Sequence, residues 1–151
     1  MASLTRSIVY NEEAFQYLLE GESKRSKRTG HLYNILLINY KNEQGTLILM
    51  EPNIAKTVIA AVSRSLRDTD YIGWYREGRL LGGVLTVLGP NSEADVCSSL
   101  RPRLVRILRD DLGVEESCRL QIRVCQPHEL EGVEAVISSF NTDSCVVLGR
   151  V

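Results

Sequence analysis

Along this chain the apolar positions change period repeatedly, and each change marks an element. Asn11 is a good helix cap, and Ala14, Phe15, Leu18 and Leu19 follow at helical spacing, so the pattern predicts an amphipathic first helix. Its continuation, ESKRSKR, carries Lys24, Arg25, Lys27 and Arg28, and reads as a solvated helix face rather than a phosphate contact. HLYNILLINY then abandons the helical period. Residues 35–38 are continuously apolar, as expected of a mid-sheet strand covered on both faces. KNEQG and TLILM read as a turn and the return arm of a hairpin.

From Pro52 and Asn53, the positions Ile54, Val58, Ala61, Val62 and Leu66 mark one face of a second helix, which ends near Arg67. YIGWYREGRLLGGVLTVLGP predicts a hairpin of strands 71–75 and 80–88, with Gly78 in the turn and two arginines and a glutamate at the tip. Ser92 with Asp95 resembles a capping box with Asp in place of Glu or Gln. The helix it opens passes through Leu100, Leu104, Ile107 and Leu108 to Gly113, and Pro102 should kink or break it. CRLQIRVCQ alternates, with Leu120, Ile122 and Val124 on one face and Arg119, Gln121 and Arg123 on the other, the pattern of a partly exposed strand. A short helix over 131–139 and a last strand, CVVLG, are expected beyond it. The central order is β-α-β-β-α-β, a ferredoxin-like α+β core with a mostly antiparallel sheet and helices packed on it.

Composition narrows the functional classes. With 151 residues, 44% apolar and 25% charged, the chain is expected to form one domain over 1–151 with room for a core. A net charge of -1 supplies no global field to recruit nucleic acid or an anionic membrane. The apolar runs are too short for a membrane span and the first residues lack a signal-peptide core, so a cytoplasmic location is expected. Cys97, Cys118, Cys125 and Cys145 form no C-x-x-C pair, and His31 and His128 do not supply zinc-type spacing. Buried, reduced thiols and no metal or cofactor are the expectation. RNA recognition by stacking is disfavoured because GRLLGGVLTVL has no aromatic residue and HLYNILLINY offers only tyrosines. Trp74 reads as packing, and Gly82 with Gly83 as room for a close helix rather than a phosphate cradle.

A succession of short motifs over 11–126 resembles the GGDEF, or diguanylate cyclase, family. NEEAF at 11–15 is similar to that family's N-R-x-x-F, and ESKRSKR to the acidic-then-basic pattern after it. ILLIN at 35–39 occupies the place of an apolar strand ending in aspartate. SLRDTD at 65–70 is similar to L-R-x-x-D, and WYREGRL at 74–80 stands where the family has R-Y-G-G-D-E-F. The resemblance implies a nucleotide-cyclase-like fold and bacterial signalling.

It also implies a two-metal site on carboxylates from the first strand and the hairpin tip, and here the chain departs from the pattern. Divalent cations of this kind want charged oxygen ligands that clamp the attacking and leaving oxygens. The strand position is Asn39, followed by Lys41, and the signature positions are Arg76, Glu77, Gly78, Arg79 and Leu80, so Gly78 and Arg79 replace the two acids. A one-residue slip bringing Glu77 into play still leaves the site short. The family's N-D and G-H-x-x-G-D elements are missing from YKNEQGTLILMEPN, which removes the matching guanine pocket. The expectation is a domain that is not an enzyme.

One motif of the family's inhibitory site is retained. Arg67-Asp68-Thr69-Asp70 has the form R-x-x-D, and the resemblance implies cyclic di-GMP as its ligand. Arginine there offers a planar fork and aspartate an acceptor, with Arg101 assisting and Arg103 and Arg106 as alternates. The plainer reading is a helix ending in a cation, with an aspartate capping the following turn. Three functions are thus in view: an inactive regulatory domain sensing cyclic di-GMP, a scaffold pairing with itself or another protein, and an enzyme with altered chemistry using Glu77 and Arg79.

Overall fold

The computed structural model describes residues 9–42, 47–67, 69–86, 92–130 and 132, with the backbone only at 47 and 92–98. Its elements run β1 (Val9–Tyr10), α1 (Glu12–Thr29), β2 (Tyr33–Lys41), β3 (Leu47–Ile48), α2 (Pro52–Ser65), β4 (Tyr71–Arg76), β5 (Leu80–Thr86), α3 (Ser92–Leu112), α4 (Val114–Ser117) and β6 (Leu120–Cys125). A 3-10 turn follows at Pro127–Glu129. The predicted β-α-β-β-α-β core is β2-α2-β4-β5-α3-β6. The sheet has the order β1-β4-β5-β2-β3, with β6 also paired to β2, and its pairs are antiparallel except β1 with β4.

The continuous apolar run of β2 follows from its position. Leu36, Ile38 and Tyr40 face the core beneath α2 and α3, while Tyr33, Ile35 and Leu37 face the core beneath α1. Both faces being covered, no polar alternation survives. Two asparagines interrupt it: Asn39 is buried, and Asn34, fully buried opposite Leu85, has no hydrogen-bond partner for either amide atom among the described residues.

Helix α1 starts as its cap predicts, with Asn11 Oδ1 accepting from Ala14 N–H at 2.8 Å, and stops at Gly30 with φ +79°, a left-handed terminus that glycine tolerates. Phe15 and Leu19 are buried, and the basic residues of ESKRSKR are largely exposed. TLILM supplies β3, a short return arm pairing Ile48 with Tyr40. Helix α2 ends at Ser65, slightly before Arg67, as Leu66 is already extended.

Helix α3 runs unbroken through Pro102, contrary to a break. The proline ring is exposed, and Leu100, Leu104 and Leu108 are buried on either side, so packing holds the helix across it. Cys118 departs from the expected burial because it sits in the exposed turn after α4, whereas Cys125 is buried. The patterning gave no warning of β1 or α4, which are too short to show a period. The capping side chains of Ser92 and Asp95, Cys97, Cys145, residues 87–88 of the second hairpin strand, and the last strand lie outside the described residues, as does the 131–139 helix apart from Gly132. Among the described residues, no helix is long and apolar enough to cross a membrane.

Candidate functional site

The tip of the β4–β5 hairpin is a tight turn in which Arg79 N–H donates to Arg76 O at 3.0 Å and Gly78 takes φ +75°. An irregularity precedes it. Trp74 pairs with Leu81 and Arg76 with Leu80, so Tyr75 is an extra residue on β4, the arrangement of a bulge. The bulge turns Tyr75 into the α1 core, and Arg76 lies over its ring at 5.6 Å.

The tip is held from two sides. Glu77 accepts from Glu12 N–H at 3.0 Å while its own N–H donates to the Glu12 carboxylate at 2.8 Å. Glu12 N–H is at the start of α1, where unpaired donors and the helix dipole favour a carboxylate. Gln16 Nε2 donates to Tyr75 O at 3.1 Å, and Met50 N–H donates to Gly78 O at 2.8 Å. Leu49 folds against Gly78, where a Cβ would come within 2.7 Å of its Cδ1.

The residues at the implied metal positions do not fit the metals. Asn39 is buried opposite Leu80 and carries no charge, Lys41 ends β2, Gly78 has no side chain, and Arg79 is cationic and exposed. Glu77 is committed to the start of α1. No group of three or more His, Cys, Asp or Glu side chains could hold a metal among the described residues.

Arg67 and Asp70 are brought together, and both are tied to the end of β5. Asp70 Oδ1 accepts from Thr86 N–H at 3.0 Å and from Thr86 Oγ1 at 3.2 Å, and Oδ2 accepts from Arg67 N–H at 3.0 Å. Arg67 Nη2 donates to Thr86 O, and its Nε is 3.6 Å from Asp70 Oδ2. The Asp70 side chain is only 3% exposed, against 39% for Arg67. The pair therefore closes the α2–β4 connection onto β5.

Arg101 is not brought to that pair. Its Nε donates to Ile122 O at 3.1 Å, on β6, beyond β2 from β5. Arg103 instead reaches the end of α2, donating to Ser65 O at 3.5 Å, because two residues of helix turn the side chain by about 200°. Arg106 is exposed. Trp74 packs partly buried against the α2–α3 core, and Gly73 and Gly82 pair across the hairpin directly beneath Phe15.

Sequence reasoning missed one cluster. Glu22, with a side chain 2% exposed, accepts from Arg25 Nη2 at 2.5 and 2.8 Å and from Tyr71 OH at 2.9 Å, and lies 2.9 Å from His31 Nε2. Burial raises its pKa, but the hydrogen bonds from Arg25, Tyr71 and His31 and the Arg25 charge leave it below the usual carboxylate value. Burial first, and the Glu22 carboxylate second, push Tyr71 up to about 12. A signal was present: Glu22 continues the spacing of Phe15 and Leu19 on the buried face of α1.

No protein-family model matches the chain, and no curated protein matches it. Among solved structures it is similar to the crystal structure of a DGC (diguanylate cyclase) protein from Thermotoga maritima, with 15% sequence identity, a TM-score of 0.65, and coverage of 88% of this chain and 95% of that one. At that identity the likeness is one of fold, and it agrees with the element order, the mostly antiparallel sheet and the hairpin between α2 and α3. The chain has a diguanylate-cyclase-like fold of the GGDEF type.

Proposed function

We propose that this GGDEF-type domain works without cyclase chemistry, as a regulatory protein-interaction module in signalling. The observation that carries the reading is the tip: Gly78 and Arg79 stand at the acidic positions of the resembled signature, and its one carboxylate, Glu77, accepts from Glu12 N–H. Arg79 opposes metal occupancy by charge repulsion, and Asn39 offers a weaker, uncharged donor. Binding of cyclic di-GMP at Arg67 and Asp70 is the less supported role. A ligand there would have to compete with Thr86 for a buried carboxylate already engaged on both oxygens. The module's partners are proteins, a second copy included, rather than nucleic acid or membrane.

The test combines turnover and titration. The domain is incubated with GTP and Mg²⁺ or Mn²⁺, then titrated calorimetrically with cyclic di-GMP and GTP as wild type and Arg67→Ala. No product and no heat are expected. Turnover overturns the proposal. Tight cyclic di-GMP binding abolished by Arg67→Ala moves the function to a nucleotide receptor.

A further inference from the structure

The outward face of α1 is the stripe Glu13, Tyr17, Glu20, Gly21, Lys24 and Arg28, opposite the buried Phe15, Leu19 and Glu22. All six are exposed. Three properties set this face apart from an ordinary solvated one.

The first is charge order. Acidic Glu13 and Glu20 occupy the first half and basic Lys24 and Arg28 the second, with Lys24 Nζ 3.8 Å from Glu20 Oε2 within the helix, so the charge changes sign along the stripe past the point between Glu20 and Gly21. A two-fold axis through that point places Glu13 against Arg28 of a second α1, and Tyr17 against Lys24. That is opposite charges in one pair and a ring under a cation in the other, each occurring twice. The second is Tyr17 itself, 77% exposed on a helix whose other aromatic residue is fully buried. The third is Gly21. It is exposed at mid-helix, and among the described residues a Cβ there would meet nothing within 4 Å, so no packing between them accounts for a residue that weakens the helix. At the crossing point of two helices, its missing side chain lets the backbones approach.

Shape agrees with this arrangement. Helix α1 stands as a ridge between two shallow grooves, one of about 600 Å³ lined by Glu13, Tyr17 and Tyr33, the other of about 420 Å³ lined by Tyr17, Gly21 and Arg28.

We infer that two copies of this chain associate through an antiparallel α1–α1 contact centred on Gly21. The inference rests on the interaction-module reading and specifies its partner as a second copy. Because the pairs are solvent-exposed, the association is weak and salt-sensitive.

Sedimentation equilibrium at low and high salt tests it on wild type, Glu13→Arg, Arg28→Glu, Gly21→Gln and an equimolar mixture of the two charge variants. Wild type is expected to dimerise at low salt. Each charge variant alone should dissociate about tenfold more readily or worse, since every dimer then carries two like-charge pairs. The mixture should regain dimers, because in a mixed dimer the two substituted side chains attract each other at one contact and the native pair remains at the other. Gly21→Gln should strengthen α1 yet abolish the dimer, separating association from folding. A wild type that stays monomeric to about 1 mM at low salt overturns the inference, as do dimers that the charge variants leave unchanged or a mixture that is not rescued. Monomers without GTP turnover sink this contact and leave the non-catalytic reading standing. Turnover sinks that reading whatever the oligomeric state.

Discussion

Glu77 and Glu12 exchange two hydrogen bonds, each carboxylate accepting from the other residue's backbone N–H at 3.0 and 2.8 Å. The contact joins the hairpin tip to the first turn of α1, and it gives the tip's carboxylate a structural task at the place where the resembled family puts metal chemistry. Removing Glu77 should therefore loosen two elements at once. Glu77→Ala is expected to cost about 0.5–1.5 kcal/mol, and hydrogen exchange should speed up at the Glu12 amide and through the turn. Glu77→Gln keeps an acceptor and should lose less. Unchanged exchange at Glu12 would show that the latch contributes nothing.

Gly78 stands where both backbone and neighbour disfavour a side chain. Its φ of +75° lies where a side chain is strained, and Leu49 occupies the space a Cβ would enter. Gly78→Glu is expected to destabilise the domain by about 1–2 kcal/mol from backbone strain alone, with Leu49 displaced as well. Denaturant unfolding of Gly78→Glu beside Arg79→Glu makes the comparison, since Arg79 is exposed and its substitution should be nearly silent. Equal stability of the two variants would show that the turn relaxes freely.

The pairing of Gly73 with Gly82 makes the floor on which Phe15 rests. A Cβ at Gly73 would stand 2.4 Å from Phe15 Cδ1 and 2.8 Å from Phe15 Cβ, and the second of these cannot move without shifting α1. Gly73→Ala should cost about 1–3 kcal/mol by overpacking, read from the denaturant midpoint. Combining it with Phe15→Leu, itself destabilising, should give less than the sum of the two losses. Strict additivity would disprove the contact.

Which features were legible in the sequence follows from the range of the interactions that fix them. Local signals were sufficient for the cap at Asn11, for the β2 run buried on both faces, and for the turn at Gly78. The fold could be reached because helix and strand periods are written residue by residue. Arg101 was misplaced for the opposite reason. Whether it or Arg103 approaches the end of α2 depends on how α3 is rotated over the sheet, and no short window records that angle. Likewise the burial of Asn34, and the depth at which Glu22 meets Tyr71, are set by elements far apart in sequence.

Asp70 supplies a direct measure of the structural reading of the R-x-x-D motif. Asp70→Ala takes the acceptor from the part-buried Thr86 N–H and from the exposed Arg67 N–H, while Thr86 Oγ1 keeps Thr69 Oγ1 at 3.0 Å. The expected loss is about 1–3 kcal/mol. Asp70→Asn should lose less, because the amide oxygen can still accept from Thr86. Arg67→Ala should also lose less than Asp70→Ala, the guanidinium being 39% exposed. A silent Asp70→Ala would show that the aspartate is free for a ligand.

The Glu22–Tyr71 contact makes stability depend on pH at both ends of the scale. Tyr71 is raised from 10.0 to about 12, so the folded state holds its proton more tightly than the unfolded chain. Its contribution is fully present below pH 10 and is lost as pH rises from about 10 to about 12, by no more than about 3 kcal/mol. Burial likewise raises Tyr33, and the Glu116 hydrogen bond raises Tyr40, so the isolating experiment is the difference between wild type and Tyr71→Phe. That difference should shrink across this window. Glu22 has the opposite sign, since a lowered carboxylate gives stability that is present above the unfolded value near 4.5 and lost as pH falls through the folded one. Glu22→Gln should flatten the acid limb without touching the alkaline fall of Tyr40, while Tyr33, which the Glu22 charge also raises, should lose a small part of its own. An unfolding free energy whose alkaline slope is the same with and without the Tyr71 hydroxyl would show that Glu22 does not hold that proton.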